Sequence, residues 1–439
     1  MQELKNLMQK FGVVGAGGAG FPSYAKLAEG ADLLLINGSE CEPLLYTDYI
    51  ILKNELSMTL SGISEVLSHT GIKKAILAIK EHTAKRLGMS EGECLSDKIY
   101  VKCLPDVYPI GDEISLIYEA TGRLVPPGKL PITRGVIVYN VETMYNLARA
   151  VKFNEPVMEK WLTVGGAIKN PTVIRVPVGT RVADIFKELG ISVEDGYTVL
   201  DGGPSMGKVI NPETYSVTKT TKGILILPDD TQAILSKKMN TKMAVARAET
   251  ACCQCTRCTD MCPRHLLGYP LEPHKMVRTA MGVAEVMPEM VISATLCCGC
   301  GICESLACSQ GISPRAVIDN YKVVLGKNKL RFNLDGDYNV TDEREYRMIP
   351  YERWMSALGV TKFDKIAEYS GEIKEIARVE IPLSGHIGAP SVAIVSDGDM
   401  VERGDLIAKE ANGLSLPQYA SISGKVTLGN GKIIIDRVR

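Results

Sequence analysis

Cys252-Cys253-Gln254-Cys255-Thr256-Arg257-Cys258-Thr259-Asp260-Met261-Cys262-Pro263 begins the stretch that decides this chain's organisation, and Cys297-Cys298-Gly299-Cys300-Gly301-Ile302-Cys303, running on to Cys308, ends it. Cys252, Cys255, Cys258 and Cys262 follow the spacing Cys-x2-Cys-x2-Cys-x3-Cys-Pro. Cys297, Cys300, Cys303 and Cys308 repeat the first two intervals, but the fourth cysteine comes one residue later and Ser309 follows it. Paired blocks of this kind hold iron–sulfur clusters.

Three closely spaced thiolates on a tight loop reach three irons of one cubane, and in two-cluster ferredoxins the fourth thiolate comes from the other block. The spacing therefore predicts one [4Fe–4S] cluster on Cys252, Cys255, Cys258 and Cys308. It predicts the other on Cys297, Cys300, Cys303 and Cys262. Zinc sites are built from two Cys-x-x-Cys pairs, whereas each block here is a triple plus an offset fourth ligand. Only Cys252 and Cys297 keep both short spacings regular, so their neighbours Cys253 and Cys298 read as small packed side chains.

The 439 residues carry 50 Lys and Arg against 51 Asp and Glu, a balance with no general pull toward nucleic acid or an anionic membrane. Apolar runs such as Leu33 to Ile36 and Ala75 to Ile79 have the length of buried strands and cannot span a bilayer. Thirteen cysteines behind an N-terminus unlike a secretory signal predict a reducing, cytoplasmic setting in which thiolates serve metal.

Met1 to Phe11 has apolar residues at helical spacing, which suits a helix packed on its domain or a short peptide that docks on a partner or shell protein. Apolar runs at Leu33 to Ile36, Ala75 to Ile79, Ile99 to Leu104 and Gly135 to Tyr139, with a helix over Leu52 to Leu67, predict an α/β domain with a largely parallel sheet. The glycine-rich run Gly15 to Pro22, with Lys26 after it, brings backbone N–H groups close to a phosphate without the strand of a Rossmann fingerprint. Asn37 to Pro43, Tyr108 to Glu113 and Asn140 to Thr143 fall where strands end, the usual ligand edge of an open α/β sheet. Leu162 to Ile210 reads as a small α+β module, Thr231 to Ala251 as helix, and Val379 to Val438 as short strands. His265 and His274 read as structural.

Together, Gly15 to Pro22 with Lys26, Asn37 to Pro43, Gly111 to Glu113 and Asn140 to Thr143 resemble the flavin-bearing, NADH-oxidising subunit of respiratory complex I. The wider order of segments resembles the RnfC component of Rnf electron-transport complexes. Over nearly the whole chain it is similar to the cobalamin reductases of propanediol-utilisation microcompartments.

The resemblance implies a multi-domain α/β protein with four modules. These are a complex-I-like FMN/NADH domain over 1–153, a β-grasp (SLBB) domain over 154–225, a helical two-[4Fe–4S] ferredoxin-like domain over 231–325, and a lipoyl-like barrel-sandwich hybrid over 375–439. The last lacks a convincing hairpin lysine and is expected to be structural or partner-binding. The resemblance places Asn37, Glu40, Tyr108, Gly111, Asp112, Asn140 and Thr143 at FMN. It places Gly15, Gly17, Gly18, Gly20, Phe21, Lys26, Glu42 and Glu113 at NADH or the phosphates, with Glu42 and Glu113 orienting the nicotinamide. Two positions depart from complex I: Tyr139 precedes Asn140 where that subunit has a second asparagine, and Gly128 lies near its adenine-stacking aromatic.

The activity implied is electron transfer from NADH through FMN and two clusters to a corrinoid, with an adenosyltransferase or microcompartment shell proteins as partners and no membrane span. A different soluble or Rnf-type acceptor, reverse flow toward NAD⁺, and a scaffold with structural clusters stay open at this point.

Overall fold

Apolar runs separated by amphipathic helices have one compact solution, a parallel sheet with helices packed on it. The computed structural model, which describes residues 1–438, has this arrangement at its N-terminal end. In chain order come α1 (Gln2–Lys10), β1 (Leu33–Asn37), α2 (Thr47–Thr70), β2 (Lys74–Lys80), α3 (Glu81–Leu87), β3 (Cys94–Ser96), β4 (Ile99–Leu104), β5 (Val107–Tyr108), α4 (Glu113–Thr121), β6 (Val136–Asn140) and α5 (Val141–Phe153). The sheet order is β3-β4-β2-β1-β6, parallel except for β3. The chain moves from β1 to β2 and β4 on one side and then crosses to β6 on the other. The order therefore reverses between β1 and β6, the crevice where such sheets bind ligands. Leu4 and Met8 of α1 are buried in the main core, so this helix packs on its own domain and is not a free docking peptide.

A second sheet follows, formed by β7 (Glu159–Gly166), β8 (Thr172–Pro177), β9 (Tyr197–Asp201), β10 (Lys208–Ile210) and β11 (Gly223–Pro228), with α6 (Val182–Glu188) packed on it. The iron–sulfur segment is helical. It comprises α7 (Gln232–Lys238), α8 (Thr241–Ala251), α9 (Arg257–Asp260), α10 (Pro263–Leu266), α11 (Pro273–Ala280), α12 (Pro288–Ile292) and α13 (Pro314–Lys327). The single helix expected over Thr231 to Ala251 is two, because the Asn240 side chain caps α8 by accepting from Met243 N at 3.0 Å.

After the clusters the chain turns back. β12 (Ile349–Pro350) pairs with β5, and α14 (Tyr351–Leu358) lays Trp354 on Tyr108, with ring centroids 4.6 Å apart. Next, β13 (Glu368–Glu372) adds a sixth strand to the second sheet, giving β10-β9-β11-β7-β8-β13. The C-terminal module has β14 (Arg378–Pro382), β15 (Val392–Ala393), β16 (Met400–Val401), β17 (Leu406–Lys409), β18 (Gln418–Tyr419), β19 (Gly424–Gly429) and β20 (Lys432–Asp436) in two small sheets around one apolar core. It docks on the glycine-rich end of the chain: Ile387 N donates to Gly20 O at 2.8 Å and Tyr24 O–H to Ser415 O at 3.3 Å. Among the described residues, no helix is long and apolar enough to cross a membrane.

Candidate functional site

The crevice is assembled from strand ends. Asn37 ends β1 and Asn140 ends β6, in register as neighbours. Each side chain turns back onto local backbone: Asn37 Oδ1 accepts from Ser39 N, and Asn140 Oδ1 caps α5 through Glu142 N, both at 3.0 Å. Asn37 Nδ2 donates to Gly111 O at 3.0 Å, drawing the Tyr108 to Glu113 loop onto the same edge. The glycine-rich loop closes over it, with Ala16 N donating to Thr143 Oγ1 at 3.0 Å. Gly18 has φ +103° with open space where a Cβ would project, leaving backbone amides approachable by a phosphate. Gly15 N donates across the loop to Phe21 O, and Gly17 lies over Asn140. Lys26 Nζ sits 2.7 Å from Glu113 Oε1 at the partly exposed rim. A cradle of backbone amides, a rim lysine and carboxamides at a strand edge fits a flavin mononucleotide.

Beneath it, Glu40 accepts from Thr47 N and Asp48 N at the start of α2, and burial next to Asp48 pushes its carboxyl up to about 8. Asp48 pairs with Lys222, and Glu142 pairs with Lys160. These two lysines come from the second module, so the floor of the crevice is shared between modules.

Three expected site residues make partners outside the crevice. Glu42, expected to orient a nicotinamide, instead accepts from Ser205 N at 2.9 Å and Met206 N at 3.0 Å. A Cβ on Gly203 would lie 2.1 Å from Glu42 Oε2, so only glycine permits this approach. Glu42 is thus a tie to the second module. Tyr108 is buried: its ring stacks on Trp354 and its O–H donates to Cys300 O at 2.8 Å. Asp112 caps α4 through Ser115 N and pairs with buried Arg264 at 2.7 Å. Both therefore join the N-terminal domain to the cysteine segment. Of the remaining departures, Tyr139 donates to Ser23 O at 2.7 Å, and Gly128 packs against Phe332.

The eight block cysteines form two adjoining groups. Cys262, Cys297, Cys300 and Cys303 line one small cavity with Cys298 and Arg264. Burial first, then Cys297 and Cys298, push the Cys262 thiol up to about 12; the Cys298 hydrogen bond and burial raise Cys300, and burial raises Cys303, well above the ordinary thiol value. The Cys258 thiol is likewise pushed up to about 12, by burial and then by Cys308, Cys255 and Cys252. These contacts group Cys262 with the second block and Cys308 with the first. Gly299 N donates to Cys297 Sγ at 3.3 Å, an amide placed to stabilise a thiolate. Cys253 and Cys255 are exposed, whereas Cys262, Cys300 and Cys303 are buried. His274 bonds with Thr259 and is structural.

Lys222, Lys160 and Arg264 escape sequence reasoning. A lysine or arginine far along the chain has no local pattern that marks its partner.

Comparison with known proteins agrees with this architecture. Residues 8–149 match the Nuo51 FMN-binding domain family, 251–313 the 4Fe-4S dicluster domain, and 362–429 the RnfC barrel sandwich hybrid domain. Cobalamin reductase PduS of Salmonella typhimurium is 37% identical over 97% of this chain and 94% of its own length. That of Citrobacter freundii is 36% identical over 97% and 94%. A component of the proton-translocating ferredoxin:NAD(+) oxidoreductase complex of Clostridium ljungdahlii is 33% identical over 61% of this chain and 57% of its own. The chain is an oxidoreductase with an FMN-binding domain and a [4Fe–4S] dicluster domain, working with NADH. With such identity along almost its full length, it belongs to the PduS cobalamin reductase family.

Proposed function

We propose that this protein oxidises NADH and passes the electrons singly to a corrinoid acceptor. When bound, FMN accepts two electrons together and releases them one at a time, and the clusters carry single electrons. The observation that carries the reading is the order of the sites. The thiol set of Cys262, Cys297, Cys300 and Cys303 abuts the flavin domain through Tyr108 and the Asp112–Arg264 pair. The set of Cys252, Cys255, Cys258 and Cys308 lies nearer the surface. The first set is the entry side and the second the exit, where an acceptor or an adenosyltransferase docks.

In this reading Asn37, Glu40, Gly111, Asn140 and Thr143 hold the flavin, while Gly15, Gly17, Gly18, Gly20, Phe21 and Lys26 receive the dinucleotide and phosphates. Tyr108 and Asp112 act behind the flavin, as links to the entry site. Residues 154–225 are a β-grasp SLBB module, supported by the parallel central pair β7-β11 flanked by hairpin partners and crossed by α6. Its role is to space the flavin domain and, through Lys160 and Lys222, to close the crevice floor. The setting is cytoplasmic, within a microcompartment.

Glu113→Gln should slow flavin reduction by NADH about tenfold or more, because loss of a placed charge misaligns the substrate. Glu42→Gln should leave that rate intact and instead lower stability by about 1–3 kcal/mol, since two amides lose their charged acceptor. Stopped-flow bleaching of the flavin and urea unfolding read the two effects; equal rate losses would return Glu42 to the active site. The acceptor is tested by anaerobic reconstitution, reduction with NADH and addition of cob(III)alamin. Reduced flavin and clusters that are not reoxidised by cob(III)alamin would refute the corrinoid assignment and leave the relay standing.

A further inference from the structure

A cavity of about 360 Å³ opens on the β2–β4 side of β1, away from the glycine-rich loop, between α2, α3 and α14. Its floor is Lys80, the last residue of β2, and its walls include Tyr46, Tyr49 and Tyr351. Lys80 is 1% exposed, yet among the described residues its ammonium has no hydrogen-bonding or ion-pair partner; it sits 3.7 Å over the Tyr351 ring. Burying an ammonium without an oxygen partner costs several kcal/mol, and one ring face offsets only about 2 of them.

Three of the four acids around the cavity are engaged, and the fourth, Glu352, is exposed at its rim. Asp106 is bonded by His82, Asp364 accepts from Tyr46 O–H at 2.6 Å, and Glu40 is held by the Thr47 and Asp48 amides. Lys80 is therefore a buried amine facing the space with no acid in direct contact; Asp106, Glu40 and Asp364 act on it only from a distance, and Arg86 adds a second cation at the exposed rim. A further feature points the same way: α14, eight residues long, starts at the cavity wall with no side-chain cap. Its first amide, Tyr351 N, goes to Asp106 O, which leaves the next amides of its first turn free, at the positive end of the helix dipole.

We infer that this cavity binds a small oxyanion-bearing ligand, a phosphate monoester or a carboxylate, with its anionic group on Lys80 and the first turn of α14 and its body against the tyrosines. The volume lies in the range of small-molecule sites. The inference does not depend on the identity of the electron acceptor. The ligand seats against Tyr351, in the same helix whose Trp354 stacks on Tyr108, so occupancy bears on the link between the flavin domain and the entry site.

The test is isothermal titration calorimetry on the cofactor-loaded protein with inorganic phosphate and, separately, citrate, each with saturating NAD⁺ present to occupy the dinucleotide site. Saturable binding of either probe is expected, phosphate alone marking a phosphate ester and citrate alone a carboxylate. Lys80→Met should weaken it about tenfold or more, as loss of one charge-assisted contact does. Glu352→Lys, an exposed change at the rim, should tighten it. No saturable heat with either probe would overturn the inference. So would unchanged affinity in Lys80→Met, or, if that variant fails to fold, unchanged affinity in Glu352→Lys.

Discussion

Replacing Cys308 by Ala halves the iron bound per chain, and the half that is lost is the cluster of the first cysteine block. The expectation rests on the grouping of thiols: the Cys258 thiol is raised by burial and by Cys308 together with Cys255 and Cys252. Cys262 is raised instead by burial and by Cys297 and Cys298. A cubane with three thiolates left has an iron without a protein ligand and is readily lost. Because this set lies nearer the surface, the flavin domain should fold normally, flavin reduction by NADH should persist, and onward transfer should fail. Iron and sulfide analysis gives the stoichiometry, and the electron paramagnetic resonance spectrum of the remaining cluster gives its identity. The Cys308→Ala spectrum should match that of Cys252→Ala and differ from that of Cys262→Ala. A Cys308→Ala spectrum unlike that of Cys252→Ala, with Cys252→Ala matching Cys262→Ala instead, would mean that each block keeps its own fourth cysteine.

The largest expected loss of stability comes from Glu142→Gln. Glu142 and Lys160 are both fully buried and paired, and Glu142 Oε1 also accepts from Trp161 N at 3.3 Å. Lys222 stands 3.8 Å from the same carboxylate and pairs with Asp48. Burial lowers the Lys160 ammonium's pKa and Glu142 opposes that shift, so the carboxylate is the main group favouring the charged amine. Removing one partner of a buried pair costs about 3–5 kcal/mol. Urea unfolding followed by flavin release should show that loss. The double variant Glu142→Gln/Lys160→Met should recover most of it, since an apolar replacement of a whole buried pair is often neutral. A single-variant loss below about 1 kcal/mol would show that the remaining lysine finds water or another acceptor.

Much of the fold was legible because it is written in local periodicity. The strands expected at Leu33 to Ile36, Ala75 to Ile79, Ile99 to Leu104 and Gly135 to Tyr139 occur within a residue or so of those limits, and α2 extends the expected helix to Thr47–Thr70. Strand β13 was not legible: Glu368–Glu372 has little apolar alternation, and it is a strand because β8 offers it an edge. The same holds for Ile349–Pro350 against β5.

At the site, the strand-end segments Asn37 to Pro43, Tyr108 to Glu113 and Asn140 to Thr143 converge on the glycine-rich loop. Their division of labour differs from what motif order suggested. Glu42, two residues from Glu40, faces a different module, where its carboxylate accepts from Ser205 N and Met206 N beside Gly203, and no spacing rule reports those partners.

Returning to the cysteines, spacing alone determined that the chain carries two sets of four thiolates, and it predicted crossed fourth ligands because a short loop can present only three sulfurs to one cubane. Which set lies against the N-terminal domain was decided only by tertiary structure. The two blocks are nearly alike in sequence, and what separates them is Tyr108 bonding to Cys300 and Asp112 pairing with Arg264, contacts made across 192 and 152 residues of chain. Local chemistry selects a ligand; only the packing of distant segments decides what that ligand faces.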